Sequence, residues 1–226
     1  MKKLVIAIDG PAASGKSTTS KLAARRLGYL FVDTGAMYRA MTLKVLEHDI
    51  DLLDVDGITA LAKQTTIRLQ QTAGELTVFL DDRNVSELIR RQNVTRAVSA
   101  ISAVRGVREL MVREQRKMGE QGGIILEGRD IGTVVFPEAD LKFYMVAEVQ
   151  KRAMRRQKEL NLQGVDVAIE DLEREIDERD QKDSKRDISP LRRADDALLI
   201  DTSEMKIEDQ VEFIIQKAHE LAGESS

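Results

Sequence analysis

Residues 10–17, GPAASGKS, set the spacing G-x-x-x-x-G-K-S, and no other stretch constrains the fold of this chain as tightly. Glycines at the ends let the backbone curl until successive N–H groups point inward, a cradle for phosphate oxygens. Such a loop needs a strand before it and a helix after it. Both are legible: KLVIAI precedes it, and Leu22, Ala23 and Leu27 mark an apolar helix face that Gly28 stops. The helix beginning near Gly15 adds the positive end of its dipole. Lys16 offers a mobile cation to the β- and γ-phosphates, and Ser17 offers a hydroxyl to Mg²⁺. A nucleoside triphosphate is therefore expected against Gly10, Pro11, Ala12, Ala13, Ser14, Gly15, Lys16, Ser17 and Thr18.

Beyond the loop, YLFV at 29–32, IIL at 124–126, LKFYMVA at 141–147 and ALLI at 197–200 read as short buried strands. Helical stripes lie between them. Met37, Met41 and Val45 form one, Ile169, Leu172 and Ile176 a second, and Ile207, Val211, Ile214, Ala218 and Leu221 a third. Strands alternating with helices predict an α/β fold with a parallel sheet covered on both faces. Residues 65–89 break the rhythm. Ile67 and Leu69, then Leu76, Val78 and Leu80, follow period two around a turn candidate at Gly74-Glu75, which predicts a small antiparallel insert. Residues 148–193 are dense in charge with few apolar anchors, the pattern of a lightly packed helical flap. Met37, Met41 and Met145 are expected in the core and His48 at a helix end on the surface. The tail GESS is expected to fray.

Composition excludes several function classes. The 226 residues contain no Cys and two His, which removes disulfides and thiolate metal sites and leaves little for a His-rich one. The apolar run at 4–8 is ended by Asp9, too short for a secretory signal, and no run reaches membrane length. A cytoplasmic protein is expected. With 35 basic against 39 acidic residues, the chain lacks the basic excess of a duplex binder. Arginines within an acidic chain suit compact anionic ligands. A regulatory GTPase is disfavoured because N-K-x-D is absent; only an isolated D-x-x-G stands at 54–57. A kinase reading instead requires a second site, rich in arginine if the acceptor is itself a phosphate. Other phosphotransferases and a nucleic-acid-linked ATPase remain alternatives at this level.

The segments that supply such a site are VDTGAMYR after the second strand and EGRDIGTVVFP after the third, where open α/β sheets bind ligands. With GPAASGKS, VSAISAVRGVRE and ERDQKDSKRDISPL, they make the chain resemble the bacterial cytidylate kinases, in the nucleoside monophosphate kinase group, over almost its whole length. The resemblance implies a five-stranded parallel sheet flanked by helices, a small antiparallel insert in the monophosphate-binding domain and a helical lid. It implies a core of residues 1–33, 98–147 and 191–226, a monophosphate-binding domain at 34–97, and a lid at 148–190. The implied reaction passes the γ-phosphoryl group of ATP, with Mg²⁺, to CMP or dCMP, in a monomer that binds neither nucleic acid nor membrane.

By motif position the resemblance assigns Thr34, Arg39, Ser99, Arg108, Arg129 and Asp130 to the acceptor. It assigns Arg179, Asp183 and Arg186 of the lid to ribose and phosphates. Lys16, Arg39, Arg129, Arg179 and Arg186 are the expected catalytic cations. Arg152, Arg155 and Arg156 share one helix; Arg155 is expected at ATP, with solvated surface charges as the alternative. Glu127 stands where relatives often carry Asp and is left outside the expected contacts. Structural readings compete: Asp130 could simply pair with Arg129, and Asp183 with Arg186 on the surface.

Overall fold

The computed structural model describes residues 3–72, 75–162 and 164–223. The chain runs β1 (Val5–Asp9), α1 (Lys16–Leu27), β2 (Leu30–Asp33), α2 (Thr34–Glu47), α3 (Val55–Lys63), β3 (Ile67–Thr72), β4 (Glu75–Leu80), β5 (Arg83–Asn84), α4 (Gln92–Ala103) and α5 (Arg105–Gly119). It continues with β6 (Ile124–Gly128), β7 (Leu141–Val146), α6 (Val149–Asn161), α7 (Ile169–Lys185), β8 (Leu198–Asp201) and α8 (Ile207–Ala222).

The main sheet has five strands in the order β2-β6-β1-β7-β8, all parallel. Side chains alternate along a strand, and β1 shows the consequence. Ile6 and Ile8 point into a cluster closed by Ala23 and Ala24 of α1 and Val211, Ile214 and Ala218 of α8. Ala7 points to the opposite face, toward Val32, Leu126 and Ile131, where α5 adds Val112 and Met118. Burial on both faces explains why the central strands read as continuous apolar runs. In register, Asp33 of β2 lies beside Glu127 of β6, and Gly128 beside Asp9 of β1. Three strands thus deliver carboxylates to the carboxyl-terminal end of the sheet.

The insert is a three-stranded antiparallel sheet, β3-β4-β5, in which Leu69 pairs with Val78 and Ile67 with Leu80. Its turn candidate at Gly74 lies outside the described residues. Gln71 Oε1 accepts the Phe31 N–H at 3.1 Å, so the insert caps the edge strand β2, while Leu69 and Leu76 pack against the core. The isolated D-x-x-G has a structural role: Asp54 Oδ1 accepts the Gly57 N–H at 2.9 Å and caps α3. Met37, Met41 and Met145 are fully buried, and His48 ends α2 with Nδ1 2.9 Å from the Lys44 carbonyl.

The charged segment that was expected to be lightly packed has a small core of its own. Ala153 of α6 and Leu172 and Ile176 of α7 form a cluster against which Ala13 of the glycine loop packs. Among the described residues, no helix is long and apolar enough to cross a membrane.

Candidate active site

The glycine loop leaves β1 at Gly10, with φ +148°, and enters α1 through Gly15, with φ +93°. No side chain caps the helix, so its first-turn N–H groups are free for an anion. Lys16 is buried, and its Nζ donates to the Pro11 carbonyl at 2.6 Å and to Ser14 Oγ at 3.2 Å. Burial and then Arg129 hold the ammonium below its ordinary range, with Glu127 and Asp9 pulling the other way. Thr202 Oγ1 donates to the Ser14 carbonyl at 2.8 Å and braces the loop from behind.

One cavity is lined by all nine residues expected at the acceptor: Thr34, Arg39, Ser99, Arg108, Arg129, Asp130, Arg179, Asp183 and Arg186. Thr34 and Arg39 come from the start of α2, which Asp33 caps by accepting the Ala36 N–H at 3.0 Å. Thr34 Oγ1 donates to the Glu127 carbonyl at 2.7 Å, stitching α2 to β6. Ser99 comes from α4, Arg108 from α5, and Arg179 and Asp183 from α7.

The cavity has two chemically distinct ends. At one, Asp130 pairs with Arg108 and lies 3.7 Å from Arg186, while Arg108 also donates to the Ser102 carbonyl at 3.2 Å. The Arg108 guanidinium stands 5.4 Å from the Tyr38 ring centre. At the other end, Arg39, Arg129 and Arg179, with Asp33 and Glu127, also line the larger cavity that contains Lys16, Ser17 and Thr18. These groups stand at the junction of the two cavities. Burial, Arg129 and Arg39 push the Arg179 guanidinium down to about 9, and its buried Nε has no hydrogen-bond partner. Converging cations with an orphaned donor are matched by an anion placed between them.

The competing pairings are settled by these contacts. Asp130 is held by Arg108 and Arg186 rather than by its neighbour Arg129. Asp183 is buried and accepts from Arg129 Nε at 3.1 Å. Arg186 therefore faces Asp130, away from the cation cluster that Arg39, Arg129 and Arg179 form with Lys16. The three α6 arginines separate. Arg155 donates to Thr202 Oγ1 at 3.0 Å and to the Thr202 carbonyl at 2.5 Å, beside Gly15 but outside both cavities. Arg156 pairs with Glu159 at 3.1 Å on the wall of the larger cavity, and Arg152 is buried.

Sequence reasoning missed three acids. Glu127 is buried at the junction, with the Ser17 hydroxyl beside it and Oε1 unpartnered. Its signal is its place at the end of β6, in register with Asp33. Asp180, on α7, contacts the glycine loop. Asp9 accepts the N–H groups of Ile131 and Gly132, both at 2.8 Å, and so anchors the turn that carries Asp130.

Burial pushes the Asp9 carboxyl up to about 6, against the pull of those two N–H groups. An unfolded Asp releases its proton near about 3.9, so the folded chain holds the proton longer. On this group's account stability is fully present below about pH 4 and falls as pH rises to about 6. At about 1.4 kcal/mol per unit the total is on the order of 3 kcal/mol. Urea unfolding of the wild type and of Asp9→Asn across pH 4–7 checks this. The wild type's advantage should fall between pH 4 and 6 and level off above; a constant difference would refute it.

A family model described as "Cytidylate kinase" matches residues 6–220. The chain is 47% identical over 217 residues to a cytidylate kinase of Bacillus pumilus, covering 96% of each. It is 48% identical over 222 residues to one of Streptococcus suis, covering 98% of this chain and 99% of that protein. Among solved structures, an uncharacterized protein from Eubacterium ventriosum aligns with a TM-score of 0.53 at 12% identity, covering 97% of this chain and 99% of that one. That last likeness is one of fold alone.

Proposed function

The chain belongs to the cytidylate kinase family, and from that premise we propose how its two cavities divide the work. The protein transfers the γ-phosphoryl group of ATP to CMP or dCMP, giving ADP and CDP or dCDP. The observation that carries the division is the position of Arg39, Arg129 and Arg179 on the shared wall of the two cavities. ATP lies with its phosphates on the glycine loop and Lys16. CMP lies with its base at the Arg108–Asp130–Arg186 end and its phosphate at the junction. The lid, residues 148–190, brings Arg179 over both.

The acceptor oxygen needs no general base, since a phosphate monoester has its second pKa at about 6 and is already ionised near neutrality. The barrier is repulsion between two anions. The guanidinium forks of Arg39 and Arg129 suit the acceptor phosphate. Lys16 and Arg179 meet the charge on the transferred group, so the chemistry rests on positioning and electrostatic stabilisation. The Ser17 hydroxyl and the unpartnered Oε1 of buried Glu127 fit a hard cation. These two residues would hold Mg²⁺, which would supply positive charge to offset the phosphates. The same reading makes the protein a monomer acting in the cytoplasm on free nucleotides.

Asp130 gives the base end its selectivity. Its carboxylate accepts from the N4 amino group of cytosine and faces the O4 of uracil with like polarity. An unpaired buried polar group costs about 1–3 kcal/mol, so Asp130→Ala should shrink the ratio of kcat/KM for CMP over UMP by roughly 5- to 150-fold. Steady-state kinetics with both acceptors test this, and an unchanged ratio would remove Asp130 from base recognition.

A further inference from the structure

Three guanidinium groups meet at the cavity junction, and Arg179 is the one that the lid helix α7 carries there. Arg129 is held by Asp183, and Arg39 extends from α2, whose start Asp33 caps. Arg179 extends from the lid helix α7 with an orphaned Nε and is repelled by both neighbours. Something else must seat α7.

The adjacent residue does so. Asp180 Oδ1 accepts the Ala12 N–H at 3.3 Å, and its other oxygen accepts from Arg152 Nη1. The same Arg152 nitrogen donates to the Ala12 carbonyl at 3.2 Å, and Arg152 Nε donates to the Ala147 carbonyl at 3.0 Å. Both backbone polar groups of Ala12 are thereby engaged by one ion pair. One turn before Asp180, Ile176 packs with Leu172 against Ala13, the next residue of the loop. A polar latch and an apolar seat thus fix α7 on the glycine loop. The side chains of the latch are 6% (Arg152) and 16% (Asp180) exposed, so removing one partner leaves the other buried and unpaired.

We propose that Asp180 is a positioning residue: through Arg152 and the Ala12 backbone it registers α7 on the phosphate loop, so that Arg179 faces the transferred phosphoryl group. Asp180 touches neither nucleotide in this scheme and acts only through Arg179. The proposal rests on the reading of the site above.

The test uses the full chain with Asp180→Asn, which keeps the shape and removes the charge. A misplacement of about 1 Å at a reacting centre costs on the order of 10²-fold. The kcat for Asp180→Asn should therefore fall on that order, with KM for CMP within about threefold, because Asp130 and Arg108, which pair with each other at the base end, stand on elements other than α7. Amide hydrogen exchange of the unliganded protein should quicken in α7 and at Ala12 while the main sheet stays as protected as in the wild type. In Asp180→Asn/Arg179→Ala, kcat should be no lower than in Arg179→Ala alone, since one residue works through the other.

A kcat within about twofold of wild type for Asp180→Asn, or losses that multiply in the double variant, would overturn the proposal. So would exchange that quickens throughout the chain, the mark of a merely structural residue. If Arg179→Ala itself keeps wild-type kcat, the assigned site fails; the latch is then judged by exchange alone, and unchanged α7 exchange in Asp180→Asn overturns it. Should Asp180→Asn not fold, Arg152→Lys keeps the charge and loses the fork. It must give a smaller kcat loss of the same kind with faster α7 exchange, and a wild-type kcat there overturns the proposal.

Discussion

Lys16→Met is expected to lower kcat for ATP and CMP by about 10²–10³-fold, the scale of a lost transition-state donor, in a protein that stays folded. The ammonium is buried, with the Pro11 carbonyl and Ser14 Oγ as its hydrogen-bond partners, and burial with Arg129 already strains its charged form. Removing the buried ammonium relieves its desolvation cost, which offsets the hydrogen bonds lost at the Pro11 carbonyl and Ser14 Oγ. Activity and stability should therefore move independently. KM for CMP should stay nearly constant, because Lys16 lines only the cavity assigned to ATP. Steady-state kinetics with a thermal melt check both halves. A kcat within tenfold of wild type would mean that the charge on the transferred group is met elsewhere.

Gly10→Ala should fail for the opposite reason, through the backbone. At φ +148° the residue lies where an L side chain is strained. A Cβ there would also fall under 3.0 Å from the Met145 carbonyl oxygen, which belongs to β7 inside the sheet. A strand paired on both sides cannot yield. Strain and overpacking together should cost about 3 kcal/mol or more, or roughly 10 °C in Tm for a chain of this size, and should displace the loop from its phosphates. Gly28→Ala is the control. Its φ is +67° with nothing within 4 Å of an added Cβ, so only the modest cost of the left-handed conformation, about 1 kcal/mol, applies. Calorimetry on the two variants separates clash from conformation; equal losses would contradict the account.

The contrast between these glycines shows what the sequence could disclose. The loop is a local motif, and the strands of the main sheet are buried on both faces, so spacing and apolar runs reveal both. The helix α4 carries a helical period in Val94, Ala97, Val98 and Ile101. What periodicity cannot disclose is which charge meets which. Asp130 stands next to Arg129, yet its partners are Arg108 and Arg186. Arg129 is held by Asp183, 54 residues away. Asp180 is one acid among many on α7 and becomes distinct only when the fold lays that helix on Ala12. Glu127 looked like a longer-armed departure from a motif until the register of β2 and β6 placed it beside Asp33.

The central claim is spatial: one nucleotide is read at its base by Asp130 and Arg108 and gripped at its phosphate by Arg39 and Arg129, facing the glycine loop. A crystal structure of the protein with CMP tests it most directly. The account predicts the cytosine amino group on Asp130 and the phosphate between the Arg39 and Arg129 forks, with its free oxygens toward Lys16. CMP bound away from these residues, or reversed with its phosphate at Asp130, would contradict it.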